Sequence, residues 1–280
     1  MSTTQKVIKY IAIAFGIFLS INIICLIVLG ITTISEILIG VSSDDQSDFN
    51  YSNQYIALQE YSEILNLDIR LNTSNIIIKE GDKLKVEINK YSKDFTCDKE
   101  NNTLVLKDNT RINKLLKNSN NTTIVLYIPK EYVFSTVDIK SGIGKCEIEY
   151  LNATKLDIEL GVGETIIENI ISKDCNIDGG IGKANIKSCD FHSLDLETGI
   201  GNFNLSGNIL NTAKISCGIG KTNINLNGKF EDYSINTKVG IGVIKLNNNK
   251  CLNESTYGNG NTKINISGGI GAVDISTKEI

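Results

Sequence analysis

The chain has 280 residues, with 28 Lys and Arg against 32 Asp and Glu and a formal net charge of -4, which excludes a nucleic-acid binder that works through a basic surface. A single His, and seven Cys without a Cys-x-x-Cys spacing, leave no basis for a histidine-dependent nucleophilic triad or a zinc site.

Residues 1–10 carry Lys6 and Lys9 and are expected in the cytoplasm. Residues 11–31 follow without a charge, and at about 1.5 Å per residue such a helix spans a hydrocarbon layer of about 30 Å. Glu36, Asp44, Asp45 and Asp48 lie after the span, so the lysine bias puts the rest of the chain outside the cell. The apolar run is longer than the roughly 7–15 residues of a signal peptide. An uncleaved signal-anchor is therefore favoured over cleavage after Ser43, and Ile23 and Ile24 before Cys25 argue against a lipidation site. Residues 32–57, with the polar run Asp44–Gln54, form a tether.

From residue 58 to residue 280 the chain reads as strand. Apolar and polar residues alternate in Leu67–Leu71 and again in Leu84–Ile88, around the turn-prone Glu80-Gly81-Asp82-Lys83. Lys107 to Thr123 is polar and expected as a surface loop before the strand that ends at Pro129. Beyond it a Gly-Ile-Gly or Gly-Val-Gly signature recurs at intervals of 19 residues, as Gly142 and Gly144, Gly161 and Gly163, Gly180 and Gly182, Gly199 and Gly201, and Gly218 and Gly220. It returns with looser spacing as Gly240 and Gly242, then as Gly269 and Gly271. One unit of that length cannot bury its apolar face alone, so copies must stack.

Alignment on the first glycine picks out the inward columns. Ile139, Ile158, Ile177, Leu196 and Ile215 stand three residues before it, with Val137, Leu156, Cys175, Leu194 and Ala213 two further back. Cys146, Thr165, Ala184, Phe203, Thr222 and Ile244 stand four after it, and Ile148, Ile167, Ile186, Leu205, Ile224 and Leu246 six after it. Period-two alternation on both sides of the glycines is the strand signature. The expected fold is all-β, a parallel β-solenoid of about 19-residue coils, preceded by one transmembrane helix. Glycine at the corner supplies positive φ and close backbone approach. The residue between the glycines (Ile143, Val162, Ile181, Ile200, Ile219, Ile241, Ile270) is expected to plug the core.

The runs LNTSNIIIKEGDKLKVEI (71–88), TIVLYIPKEY (123–132) and DIKSGIGKCEIEYLNATKLDIEL (138–160) resemble the bacterial putative-adhesin family, a β-strand-repeat domain of unknown function found in envelope proteins. The resemblance covers the chain from about Leu58 to its end. It departs at the corners, where that family usually has Ser-Gly and this chain has Gly-Ile-Gly, and it implies no catalytic or binding residues.

Several site patterns fail on spacing. Gly220-Lys221-Thr222 imitates the end of a phosphate-binding loop, but Ile215 stands where that loop needs glycine. The lone His192 is read as a solvated corner residue. Cys146 and Cys175 occupy core columns, so the cysteines read as small buried hydrophobes, with disulfides as the alternative outside the cell. The remaining candidate is an acidic face of Asp157, Glu159, Asp178, Asp195 and Glu197, brought together by the repeat. It is either a hydrated face with lysines nearby or a weak calcium site, at about millimolar affinity; no other cofactor is expected.

These features imply a single-pass protein of the cell membrane whose extracellular domain is a structural or interaction module, adhesin-like rather than enzymatic. Its expected partners are the membrane through the N-terminal helix and an envelope protein or glycan, and no nucleic acid. An envelope-stress sensor acting with a membrane partner is one alternative, and a carbohydrate-active β-helix enzyme another, disfavoured because only 6% of residues are aromatic. The topology has a direct test: protease added to intact protoplasts should digest the domain after residue 31. A protected domain overturns the assignment.

Overall fold

A computed structural model describes residues 56–89, 94–110 and 122–278. These residues are all-β apart from one short turn of 3-10 helix at Phe230–Asp232. No helix among them is long and apolar enough to cross a membrane; the expected span at 11–31 lies outside them.

The inward columns read from the alternation form the core. Ile139, Ile177, Leu196 and Ile215 are each 0% exposed, as are Ile148, Ile167, Ile186 and Ile224. The alternation breaks at three places in each coil, and the chain bends at each. One break is a pair of outward residues, Thr154-Lys155 and Lys173-Asp174 on successive coils, where strand pairing skips a position. The second is the Gly-X-Gly element. The third was not anticipated: Asn169 and Ser188 have φ of 52° and 53°, and Gly207 follows at the same 19-residue interval with φ of 158°. Asparagine suits a left-handed position, and the Asn169 side chain also donates to the Glu149 carbonyl of the coil beside it at 3.0 Å.

Through the middle of the stack, β8 (Phe134–Ile148), β9 (Leu151–Glu168), β10 (Ile170–Asp178) and β11 (Ile181–Asn227) pair in parallel in chain order. At the ends the order of stacking departs from the order of the chain. The coil of β2 (Asn66–Leu71) and β3 (Asn75–Glu80) lies between β8 and the later coil of β6 (Thr103–Asp108) and β7 (Thr123–Ile128). At the other end β16 (Thr262–Ser267) and β17 (Ile270–Lys278) lie between β11 and the earlier coil of β12 (Tyr233–Lys238) and β13 (Ile241–Leu246).

Antiparallel strands then close the stack. β4 (Lys85–Ile88) pairs with β7 and carries β1 (Ile56–Glu60) outside it, while β5 (Phe95–Glu100) covers β6. β14 (Asn249–Lys250) and β15 (Ser255–Tyr257) cover β13 and β12. Short or irregular outer strands blunt edges that would otherwise template further pairing, and the coils at both ends interleave.

The corner glycines are required by contact between coils. A Cβ on Gly161, Gly180, Gly199 or Gly218 would lie 1.7–2.1 Å from the carbonyl oxygen of the preceding coil's glycine. The second glycine of each pair adds a positive φ, from 157° at Gly144 and 150° at Gly163 to 131° at Gly220, with 155° at Gly242 and 138° at Gly271. One of the seven corners has no glycine beneath it, and two stack out of chain order. At the first, a Cβ on Gly144 would meet no glycine but the Asn75 side-chain oxygen at 2.9 Å and the Ser74 carbonyl oxygen at 3.0 Å, because β3 lies beside it. At the last, the partner of Gly242 comes later in the chain: its Cβ would lie 1.8 Å from the Gly271 carbonyl oxygen, and one on Gly271 1.9 Å from that of Gly220. The interleaved end coils therefore account for the looser spacing of the Gly240 and Gly269 corners.

The residue between the glycines does not plug the core. Val162, Ile181, Ile200, Ile219 and Ile270 are 47–52% exposed, Ile241 is 74% exposed, and Ile143 is half-buried. With both neighbours pressed against the adjacent coil, the intervening side chain has only the outward direction open. Gly180→Ala should therefore cost about 3 kcal/mol or more, since backbone must move to admit the methyl. Ile181→Thr beside it should stay within about 0.5 kcal/mol. Urea midpoints compare the two, and equal losses would refute this account of the corner.

At one end of this corner column Asn72-Thr73-Ser74 replaces Gly-X-Gly, and Asp108 of the next coil closes it. The expected loop thus starts later than Lys107, because Lys107 and Asp108 belong to β6. Asp108 is 2% exposed. One carboxylate oxygen accepts from the Thr73 amide at 3.0 Å and the Ser74 hydroxyl at 2.7 Å, and the other accepts from the Thr110 amide at 2.8 Å. Burial pushes its pKa up, but the hydrogen bonds from Thr110, Thr73 and Ser74 outweigh burial and leave it below the ordinary value. A depressed folded pKa stabilises above the unfolded carboxylate pKa, about 3.9, and that stability is lost as pH falls through the folded value. Asp108→Asn leaves an amide donor facing a donor on one side. It should cost about 1–3 kcal/mol at pH 7, with the difference from wild type shrinking as pH falls below the unfolded carboxylate pKa and through the folded one. A pH-independent difference in denaturant stability would contradict this.

Candidate functional site

The fold brings the five acidic candidates onto one face in two adjacent columns. Glu159, Asp178 and Glu197 stand on successive coils, and Asp157 and Asp195 flank Asn176 two residues away. Lysines are interleaved with them: Lys140 pairs with Glu159 at 3.1 Å, Lys155 with Asp157 at 3.3 Å and Lys214 with Asp195 at 3.1 Å. The positive charge that such a face attracts is thus supplied in part by the chain itself. Among the described residues no group of three or more His, Cys, Asp or Glu is arranged to hold a metal ion; within each column the register spaces the carboxylates one per coil, about 4.8 Å apart.

His192 is exposed, beside Ser193 at the first bend of its coil. Cys146, Cys175, Cys189 and Cys251 are buried, and the six described cysteines are all free thiols. Burial pushes Cys146 up to about 12 and Cys189 to about 11, so these thiols stay protonated and unreactive near neutral pH.

A feature not recognised in the sequence lies on the neighbouring side of the coils. Asn185, Asn204 and Asn223 recur at 19-residue intervals on an outward position. The side-chain amide of Asn223 donates to the Asn204 carbonyl oxygen at 2.6 Å, and that of Asn204 to Asn185 at 2.7 Å. Aligned amides of this kind polarise one another. The ladder runs into a groove of about 420 Å³ lined by Asn223, Asn225, Lys245, Asn247, Asp274 and Ser276, among others. Within it Ser276 donates to Asn225 at 2.7 Å, and Asn247 accepts from the Thr277 amide at 3.0 Å. Asp274 pairs with Lys221 at 3.5 Å, whereas Lys245 has no ion pair among the described residues. The signal was present as the shared phase of the three asparagines, but polar outward positions alternate in every strand and only stacking distinguishes a bonded ladder from a hydrated one.

The groove therefore presents fixed donors and acceptors with little net charge. The family model described as Toastrack DUF4097 matches residues 64–266. Among solved structures the chain is similar to a putative adhesin from Bacteroides fragilis (16% identity, TM-score 0.44, covering 80% of this chain and 98% of that one). It is also similar to a putative cell adhesion protein from Clostridium sporogenes (16% identity, TM-score 0.38, 80% and 98%) and to a putative lipid binding protein from Parabacteroides distasonis (16% identity, TM-score 0.26, 82% and 98%). The comparison with curated proteins found no match.

Proposed function

The chain belongs to the Toastrack DUF4097 family, and from that premise we propose that it is a membrane-anchored extracellular β-solenoid, an adhesin-like interaction module of the cell envelope. The anchor and the outward orientation come from Lys6, Lys9 and the uncharged residues 11–31. The interaction role rests on one observation, the asparagine ladder that leads into the polar groove. Its side chains are already held by one another at 2.6–2.7 Å, so a partner that docks there loses less free energy in ordering them, and binding is correspondingly better. The partner class is an envelope glycan or protein that presents hydroxyls and amides.

A glycan that carries both groups tests the reading. The full chain in detergent micelles should be retained on an immobilised polysaccharide of N-acetylglucosamine. The pair Asn204→Ala with Asn223→Ala should weaken retention about tenfold, equivalent to about 1.4 kcal/mol. Equal retention of both proteins would remove the ladder from the binding surface, and retention of neither would leave envelope proteins as the partner class.

A further inference from the structure

The outward residues of the Gly-X-Gly corners form one continuous ridge. Ile143 stacks on Val162, Val162 on Ile181, Ile219 on Ile270 and Ile270 on Ile241. Ile200 fills the rung between Ile181 and Ile219, since Gly201 lies against Gly182 and Gly220 against Gly201. Seven β-branched side chains thus stand in a line about 29 Å long, at about 4.8 Å per rung. A bare glycine column runs along each side, so the ridge is bounded by two grooves. An exposed apolar strip of this extent marks a contact surface rather than scattered surface hydrophobes.

Charge on the two flanks says what the contact accepts. One flank carries Lys140, Glu159, Asp178 and Glu197 on successive coils. The other carries Lys145, Glu164 and Lys183 on successive coils, and Lys221 two coils further on. One column is therefore mostly acidic and the other mostly basic. Asp178, Glu197, Glu164 and Lys183 have no ion pair among the described residues, whereas Lys140 and Glu159 are paired to each other and Lys145 and Lys221 to Glu147 and Asp274. An anionic lipid surface would meet the acidic flank and be repelled.

We propose that the ridge is where two copies of this chain pair side by side, in parallel, about a twofold axis that runs along the stack. That axis sets each coil opposite its own counterpart, so the spacing of the two ridges matches over their whole length and each ridge lies in a glycine groove of the other. It also sets the acidic flank of one copy against the basic flank of its partner copy. Asp178 then faces Lys183 on the same coil; Lys140 and Glu159 face Lys145 and Glu164 directly and find their opposite charges one coil away, Lys140 in Glu164 and Glu159 in Lys145 and Lys183, as Glu197 does in Lys183 and Lys221, so attraction between the two columns prevails. A twofold axis across the stack would instead set like flank against like. The flanking columns are five residues apart, about 17 Å along the chain. A strip about 29 Å long and, because the chain bends at the corner, no more than about 17 Å wide buries at most about 490 Å² per copy, at the lower limit of about 1,000 Å² in total for a specific interface. The pairing does not depend on the glycan or protein partner proposed above.

Site-directed cross-linking of the full chain in detergent micelles, with Cys25→Ser in the anchor, tests the geometry. Val162→Cys, Ile200→Cys and Ile219→Cys should each oxidise to a disulfide dimer with its own counterpart. Their yields should exceed by at least tenfold that of Leu210→Cys, a residue 63% exposed elsewhere on the coil. Lys183→Glu and Asp178→Lys should each cut the yield several-fold, and the two together should restore it. A dimer through Ile200→Cys alone would mean antiparallel pairing and overturn the proposal, as would yields no higher than the Leu210→Cys control. Protection of Ile200→Cys from a water-soluble thiol reagent by phosphatidylglycerol vesicles, without dimer formation, would make the ridge a lipid contact and equally overturn it.

Discussion

Contact between the backbones of successive coils at the Gly-X-Gly bend is the constraint from which the rest of the domain follows. The nearest carbonyl oxygen lies 2.0 Å from where a Cβ would stand at Gly161 and 1.7 Å at Gly180, so no side chain fits. Because the same approach recurs on coil after coil, glycine recurs with it, and the coils stay in register on either side. The inward columns then fall on one another, and Ile, Leu and Val fill the space between the sides of the coil. The residue trapped between two glycines must turn outward, which is how a corner that organises the core also produces an apolar ridge on the surface.

A stack has two ends, and the chain interleaves its coils at both. At one end it lays down β2 and β3, passes outside them with β6 and β7, and then returns to stack β8 on the inner side; at the other it lays down the outer coil of β12 and β13 and fills the place beneath it with β16 and β17, and short antiparallel strands cover both outsides. Repeat arrays need end units unlike the interior ones, because an exposed end would pair with another chain or fray. Here the difference extends to the corner itself. Asn72-Thr73-Ser74 stands where glycines would be, and a buried carboxylate, Asp108, satisfies the backbone and hydroxyl donors that open there.

The surface is ordered by the same register. Whatever stands at an outward position is repeated about every 4.8 Å, so small chemical preferences become columns: carboxylates with interleaved lysines on one side and hydrogen-bonded amides on another. Columns of like charge are costly unless neutralised, and the lysines at 140, 155 and 214 do this in part. Amides carry no such cost, since each can donate to one neighbour and accept from the other. The asparagine ladder is therefore the column best suited to be rigid and still available to a partner.

What the sequence by itself determined is what depends on near neighbours along the chain: strand, from alternation with period two; the coil length, from glycines 19 residues apart; and the buried columns, from Ile158 or Ile186 at fixed phase. Which way Ile181 points was not legible, because an apolar residue between glycines is equally compatible with a plug and a ridge until the neighbouring coil is in place. The interleaving of the end coils was hidden for the same reason, since Gly242 and Gly271 both match the column they join and only packing sets Gly271 against Gly220 with Gly242 outside it. Asp108 and Asn204 read as ordinary polar residues until stacking brought Thr73, Ser74, Asn185 and Asn223 to them. Alternation is a property of adjacent residues, whereas these contacts join residues 19 or more positions apart, and tertiary structure alone selects among them.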